Sequence, residues 1–300
     1  MENKIYDFLV SFPGLGINDL KINSTAFTVF GIDIAWYGII VTLGIISACL
    51  YCWWRLKKKN ILNDDFLDLA IFVVIFGIVG ARLFYVLTSL DQYHSFWDII
   101  NLRNGGLAIY GGVIGGVTAG LLVLRHKKMN APLVLDALGP ACMLGQLIGR
   151  WGNFANGECY GSAEKFVFLG KQFDISDISF SNPFIMNIQR GSELIIVQPT
   201  FLYESVWNLI GFILINIYYK KKKYDIQVFI WYLVWYGFGR AVIEGLRTDS
   251  LMLGPFKVSQ LIGVLCFAFG VVLLIVLKAK KYDRLRPLYS EKEIAENDDN

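Results

Sequence analysis

Apolar residues in this chain come in long unbroken runs, not in the interrupted stripes of a surface helix. A helix that crosses a membrane needs about 20 mostly apolar residues, because the hydrocarbon layer is about 30 Å thick. Seven runs meet that need: 33–54, 66–89, 106–124, 132–149, 201–219, 228–246 and 259–277. The fourth and sixth are the weakest. The fourth contains Asp136 and Gln146, and the sixth contains Arg240 and Glu244. The pattern predicts an all-α polytopic membrane protein, a seven-transmembrane-helix bundle.

The polar stretches between the runs add an orientation. Arg55, Lys57, Lys58 and Lys59 follow the first run, and Arg125, Lys127 and Lys128 follow the third. Lys220 to Lys223 follow the fifth, and Lys278, Lys280, Lys281, Arg284 and Arg286 follow the seventh. Lys and Arg mark cytoplasmic loops. Basic clusters after every odd run therefore predict an N-terminus outside and a C-terminus inside, and they support an odd helix count independently of hydropathy. The longest loop, 150–200, then lies outside. It is poor in Lys and Arg and is expected to form a small extracytoplasmic head with some β structure. Residues 1–280 read as one membrane-embedded domain. Residues 281–300, ending in Glu-Asn-Asp-Asp-Asn, read as a disordered cytoplasmic tail. No uninterrupted apolar h-region occurs in the first 28 residues, so no cleavable signal peptide is expected.

Composition agrees with the pattern. The chain is 55% hydrophobic with a mean hydropathy of +0.49, above the roughly 45–50% of soluble domains. A net charge of +3 gives no reason to expect a nucleic-acid partner. Four of the five cysteines lie in apolar runs and read as small hydrophobes. Cys49 and Cys52 have C-x-x-C spacing, but inside a helix and without a second pair. His94 and His126 cannot form a metal cluster, so no metal or cofactor is expected. No internal repeat supports an inverted-repeat transporter.

Ionisable residues inside membrane spans are costly and are usually paired or functional. On the predicted orientation, Tyr37, Arg82, Tyr85, Tyr110, Arg150, Asn153, Tyr203, Glu204, Arg240, Glu244 and Arg247 all lie near the outer ends of six runs. Random placement would not give one depth across six helices. Tyr236, Arg240, Glu244 and Arg247 follow at spacings of four, four and three, which puts them on one helical stripe. Plainer readings exist for each feature. Arg240 and Glu244 can simply neutralise each other. Tyr37, Tyr85 and Tyr203 can belong to an interfacial aromatic belt. Gly112, Gly116 and Gly120 form a helix-packing stripe. The segment Gly149-Arg-Trp-Gly-Asn-Phe-Ala-Asn-Gly-Glu-Cys-Tyr-Gly161 is the densest in functional groups. As a phosphate- and glycerol-binding loop it is chemically apt. Arg150 can grip a phosphate bidentately, Asn153 and Asn156 can bond hydroxyls, and the glycines admit close backbone approach. An alternative is a lipid or anion transporter with an arginine-lined path. That path would need ionisable groups in the inner half, which is mostly apolar apart from Asp136 and the terminal basic clusters.

The Gly149–Gly161 segment closely resembles the signature of the bacterial phosphatidylglycerol–prolipoprotein diacylglyceryl transferases. The resemblance continues at Trp36-Tyr37-Gly38, Gly80-Ala81-Arg82, Gly105-Gly106 with Gly111-Gly112, Pro199-Thr200-Phe201-Leu202-Tyr203-Glu204, and Tyr236-Gly237 with Arg240 and Glu244. It keeps its order from about residue 30 to 280.

The resemblance implies a multi-pass enzyme of the bacterial plasma membrane, with a seven-helix bundle and an outer head. Its partners would be phosphatidylglycerol, the signal peptides of preprolipoproteins and membrane lipid. It would move a diacylglyceryl group to a cysteine thiol and release glycerol 1-phosphate. On that basis the catalytic candidates are Arg150, Arg240, Tyr37, Tyr110 and Glu244. Arg150 and Arg240 would hold the phosphate and its leaving oxygen, and Tyr37 and Tyr110 would position the thiol or relay its proton. Glu204 and Glu244 would orient the arginines. The substrate-binding candidates are Arg150, Asn153, Asn156, Glu158, Gly161, Arg82, Tyr203, Glu204, Tyr236 and Arg247. One departure stands out. Some members carry a histidine between the two Gly-Gly pairs where this chain has Tyr110, so a histidine base there is excluded.

Overall fold

Each of the seven apolar runs becomes a helix in the structure, a computed structural model that describes residues 7–57, 63–90, 93, 95–101 and 105–280. The expectations for Lys58, Lys59, His94, Lys281, Arg284, Arg286 and the 281–300 tail lie outside the described residues. The long helices are α1 (Trp36–Lys57), α2 (Asn63–Thr88), α4 (Ile109–His126), α5 (Ala131–Asn156), α7 (Thr200–Tyr219), α8 (Gln227–Ile243) and α9 (Val258–Ala279). Two short helices, α3 (Phe96–Ile100) and α6 (Ser176–Phe180), lie between them. Six of the long helices have the length and composition to cross a membrane, as befits a polytopic membrane protein. The other, α8, has 17 residues.

Two boundary differences bear on the candidate chemistry. α5 runs on to Asn156, so most of the glycine-rich segment is helical rather than looped. Nothing before Gly157 compels a stop. At Gly157 (φ +61°) the helix closes with Gly157 N–H donating to Phe154 O and Glu158 N–H donating to Asn153 O, a left-handed glycine cap. α8 ends at Ile243, and residues 244–247 continue as tighter turns with i to i+3 bonds.

The all-α expectation is amended by strands before α1, after α5 and before α9. β1 (Phe8–Phe12), β2 (Ile17–Ile22), β5 (Gly161–Ser162), β8 (Met186–Arg190) and β9 (Glu193–Gln198) form one antiparallel sheet in the order β2-β1-β8-β9-β5. Phe8, Val10 and Phe12 alternate inward and pack with Met186, Ile188, Val197 and Phe201. That two-residue period is the signature of a half-buried strand. Three hairpins complete the β structure: β3 (Thr25–Val29) with β4 (Ile32–Ala35), β6 (Lys165–Phe168) with β7 (Lys171–Asp174), and β10 (Met252–Leu253) with β11 (Phe256–Lys257). The expected β structure in the 150–200 loop is thus present, and the strands of residues 8–35 are additional.

The chain divides into two compact units, one of residues 51–135 and one of the remainder. In the smaller unit α2 and α4 touch backbone to backbone. A Cβ added to Gly80 would lie 2.4 Å from the Gly111 carbonyl oxygen, and one added to Gly115 would lie 2.2 Å from that of Phe76. In the larger unit Asp136 of α5 is fully buried and receives Lys222 Nζ at 2.8 Å and the amides of Ile226 and Phe229 at 2.9 and 3.0 Å. The costly carboxylate of the weak fourth run is therefore an N-terminal anchor for α8.

Candidate active site

Arg150 on α5, Glu204 on α7 and Arg240 on α8 meet in the larger unit. Glu204 offers one oxygen to each arginine: Oε2 lies 2.6 Å from Arg150 Nη2, and Oε1 lies 2.9 Å from Arg240 Nη1. Arg240 Nη2 reaches Glu244 Oε2 at 2.7 Å, and Arg247 Nη1 is 3.6 Å from the same oxygen. Arg247 Nη2 then reaches Asp249 at 3.1 Å. The result is one alternating chain, Arg150–Glu204–Arg240–Glu244–Arg247–Asp249.

Burial decides what the chain is worth. The Glu204 and Glu244 side chains are almost wholly buried. An isolated buried carboxylate would cost several kcal/mol or would protonate. Arginines on either side remove that penalty for both. Three arginines against two buried glutamates leave one cation over, and the Asp249 that answers it is 43% exposed. Arg150 is the most open arginine, at 19% side-chain exposure against 10% for Arg240 and Arg247. Its described partners are Glu204 and, at 3.4 Å, Asn153 Oδ1, which engage only part of its five-donor fork. A partly open guanidinium held by a buried carboxylate has the donor geometry that suits an anion.

Local sequence fixes this geometry. Trp207 and Trp235 stack at 4.3 Å with rings 16° apart, and each indole N–H donates to the other residue's carbonyl at 3.0 Å. That reciprocal clamp sets the register of α7 against α8, and so of Glu204 against Arg240. Around Arg150, Asn153 Nδ2 donates to Glu158 Oε1 at 3.2 Å and Asn156 Nδ2 to the same oxygen at 3.4 Å. Tyr37 packs over Gly152 and lies within electrostatic reach of Glu158, Cys159 and Arg150. Tyr236 stacks on Tyr232.

The turn after α8 is held from several sides. Ser162 N–H donates to Leu246 O at 2.7 Å, and Gly161 bridges to Arg247. Gly161 has no room for a Cβ, which would meet Thr200 Cγ2 at 2.8 Å. Its place is explained by packing. The buried Lys257 gives its ammonium to the carbonyls of Glu244, Gly245 and Arg247 at 3.0, 3.1 and 2.5 Å. Gln260 bridges Val167 O, Ala241 O and Leu169 N–H at 3.0, 2.9 and 2.9 Å. Arg247 Nη2 also donates to Cys159 Sγ at 3.1 Å, and burial pushes that thiol up to about 12 against the pull of Arg247.

Three expected site residues have other surroundings. Arg82 belongs to the 51–135 unit, where its five N–H groups bond the carbonyls of Asp98, Ile99, Asn101, Gly105 and Gly106 at 2.7–3.0 Å. That fork organises its own loop and is not turned to an anion. Tyr110 also belongs to that unit, in the first turn of α4. Tyr203 donates to Gln198 Oε1 at 2.5 Å and accepts from Asn182 Nδ2 at 2.6 Å, so its hydroxyl ties α7 to the 176–198 segment. Conversely, Asp249, Lys257, Gln260 and the tryptophan pair were not singled out from the sequence. A lysine at the start of the last run, away from the basic clusters, was the one available signal.

The helices and the buried ion pairs define a class: a polytopic membrane protein with an arginine–glutamate chain at the junction of three helices. The chain belongs to the prolipoprotein diacylglyceryl transferase family, whose sequence profile matches residues 24–276. It is 40% identical over 263 residues to phosphatidylglycerol–prolipoprotein diacylglyceryl transferase 1 of Clostridium perfringens, covering 86% of this chain and 96% of that protein. It is 41% identical over 260 residues to the phosphatidylglycerol–prolipoprotein diacylglyceryl transferase of Enterococcus faecalis, covering 85% and 91%. With the protein of that name from Clostridioides difficile the figures are 38% over 265 residues, 88% and 99%.

Proposed function

We propose that the chain transfers the diacylglyceryl group of phosphatidylglycerol to the lipobox cysteine of a preprolipoprotein signal peptide, releasing glycerol 1-phosphate. The observation that carries this reading is the Arg150–Glu204–Arg240–Glu244 chain with Arg150 as its open end. The substrate thiolate attacks the glyceryl carbon that bears the phosphate. A C–S bond forms, the C–O bond breaks, and the electron pair leaves on the phosphate oxygen. The thiol proton ends on the released phosphate or in solvent. Arg150 and Arg240 stabilise the growing negative charge, the kind of preorganised field that often supplies the largest catalytic effect. Glu204 and Glu244 hold the two forks in place. Asn153, Asn156 and Glu158 suit the hydroxyls of the glycerol headgroup. Tyr37 and Tyr110 position the thiol, Tyr110 on the family resemblance alone.

The placement in the membrane is part of the same reading. Residues 1–280 form one catalytic domain of the bacterial plasma membrane, with seven spans. The 17 residues of α8 rise about 26 Å, and the turns to Arg247 extend it. The N-terminus and the strands lie outside, and the C-terminus is cytoplasmic. A transporter path would need an available ionisable group at the other end of α5, but Asp136 is saturated by three donors.

Purified protein, phosphatidylglycerol and a lipobox peptide should yield glycerol phosphate and diacylglyceryl peptide in equal amounts. A folded protein that binds phosphatidylglycerol but forms neither product would overturn the proposal.

A further inference from the structure

The β3–β4 hairpin immediately precedes α1, and its side chains divide by face. Phe27 pairs with Ile34, Thr28 with Asp33 and Val29 with Ile32. Side chains alternate across a strand, so Phe27, Val29, Ile32 and Ile34 share one face and Thr28 and Asp33 the other. The polar face is closed by Thr28 Oγ1 donating to Asp33 Oδ1 at 2.5 Å. The apolar face is open: Phe27, Val29 and Ile32 are all exposed. Phe30 at the tip is 100% exposed and sits at φ +50°, a left-handed conformation that a bulky side chain seldom takes. An isolated two-stranded hairpin is marginal in water, and here only Ile34 of its apolar side is partly covered by the protein.

The hairpin's position says what covers it. β4 ends at Ala35 and α1, a candidate membrane span, begins at the next residue. Asp33, Ile34 and Ala35 of the hairpin and Gly38, Ile39, Thr42 and Leu43 of α1 line one concave space of about 490 Å³. The hairpin therefore leans over a flank of α1 that carries the exposed Leu43. Trp36 and Tyr37, at its root, are the residue types that settle at membrane interfaces.

We infer that this hairpin is a lipid-surface wedge, with its apolar face and Phe30 docked into the headgroup–acyl boundary of the outer leaflet. The inference rests on the proposed membrane orientation. The wedge supplies the apolar contact that the hairpin lacks in water and fixes the tilt at which α1 enters the bilayer.

Photo-crosslinking of the full chain in nanodiscs containing radiolabelled phosphatidylglycerol tests this. Phe30→p-benzoylphenylalanine is compared with the same replacement at Leu43, facing acyl chains, and at exposed Glu193, at the start of β9. Lipid adducts at positions 30 and 43, each at least tenfold above position 193, are expected. Adduct at 43 without adduct at 30 overturns the wedge and leaves the membrane reading of α1 standing. Absence of adduct at 43 overturns both. A position-30 adduct to an added lipobox peptide in place of lipid overturns the wedge in favour of a peptide-docking strand.

Discussion

Arg150 is held by one strong partner, Glu204 at 2.6 Å, and one long contact to Asn153. Arg150→Ala should therefore remove the anion contact and leave Glu204 with Arg240 alone. Losing one partner of a buried hydrogen-bonded charge pair costs about 2–5 kcal/mol, so turnover should fall by at least about thirtyfold. Arg150→Lys should restore only part of it, because a point-charge ammonium cannot present a planar fork. Initial rates of glycerol phosphate release, with folding checked by thermal melting, decide this, and near-normal turnover in folded Arg150→Ala would remove the assignment. Cys159 gives a pH test. Burial raises its thiol to about 12, and a raised thiol pKa favours the neutral, unreactive form at lower pH. Its iodoacetamide labelling should climb about tenfold per pH unit through pH 10, since only the thiolate reacts. A plateau near pH 9 would contradict the burial. Tyr110→Phe keeps the ring and deletes one hydroxyl. If that hydroxyl only orients a substrate, rates should drop about ten- to a hundredfold, and total loss with intact lipid binding would argue for proton transfer. At this scale the arginines and glutamates were legible because charge in a span demands a partner. Arg82 finds its partners in backbone carbonyls, which a sequence does not display.

Helices follow from apolar run length, so all seven long ones could be read directly. Strands were harder. Phe8-Leu-Val-Ser-Phe12 is five residues, too short to separate from a loop until β8 pairs beside it and Phe201 of α7 packs on their shared apolar face. α5 outran its apolar segment because Arg150, Asn153 and Asn156 find partners at its end, which a hydropathy rule counts only as polar. The anchor at the other end of α5 makes an element-scale prediction. Asp136→Ala strips Lys222 of one of two carboxylates and leaves the amides of Ile226 and Phe229 without their acceptor. The expected loss of stability is about 3 kcal/mol, typical of breaking a buried pair. It should appear as a lower melting temperature in detergent, with phosphatidylglycerol affinity preserved in the fraction that stays folded. A melting temperature within a degree of wild type would mean the anchor does not set the α7–α8 turn.

For the molecule as a whole, the orientation rests on where lysines and arginines fall. Positive charge is retained on the cytoplasmic side, and Lys127 and Lys220 to Lys223 follow α4 and α7 at the ends opposite Tyr110 and Glu204. Lys257 stands at the opposite end, just before α9, and its burial against three carbonyls explains why it does not count as a loop charge. The same orientation puts the β8–β9 turn outside and the α7–α8 turn inside. Ser192→Cys and Lys221→Cys, each made separately, place a thiol on those two turns. Wild-type labelling serves as the baseline, because four of the native cysteines lie within long helices and Cys159 ionises too weakly to compete. A membrane-impermeant maleimide should label Ser192→Cys in intact cells and Lys221→Cys only after permeabilisation. The reverse pattern would invert the whole molecule and put Arg150 on the cytoplasmic face, against the proposed placement of the site. Labelling of both from outside would instead mean that α7 does not span, since α7 is the long helix that separates residues 192 and 221.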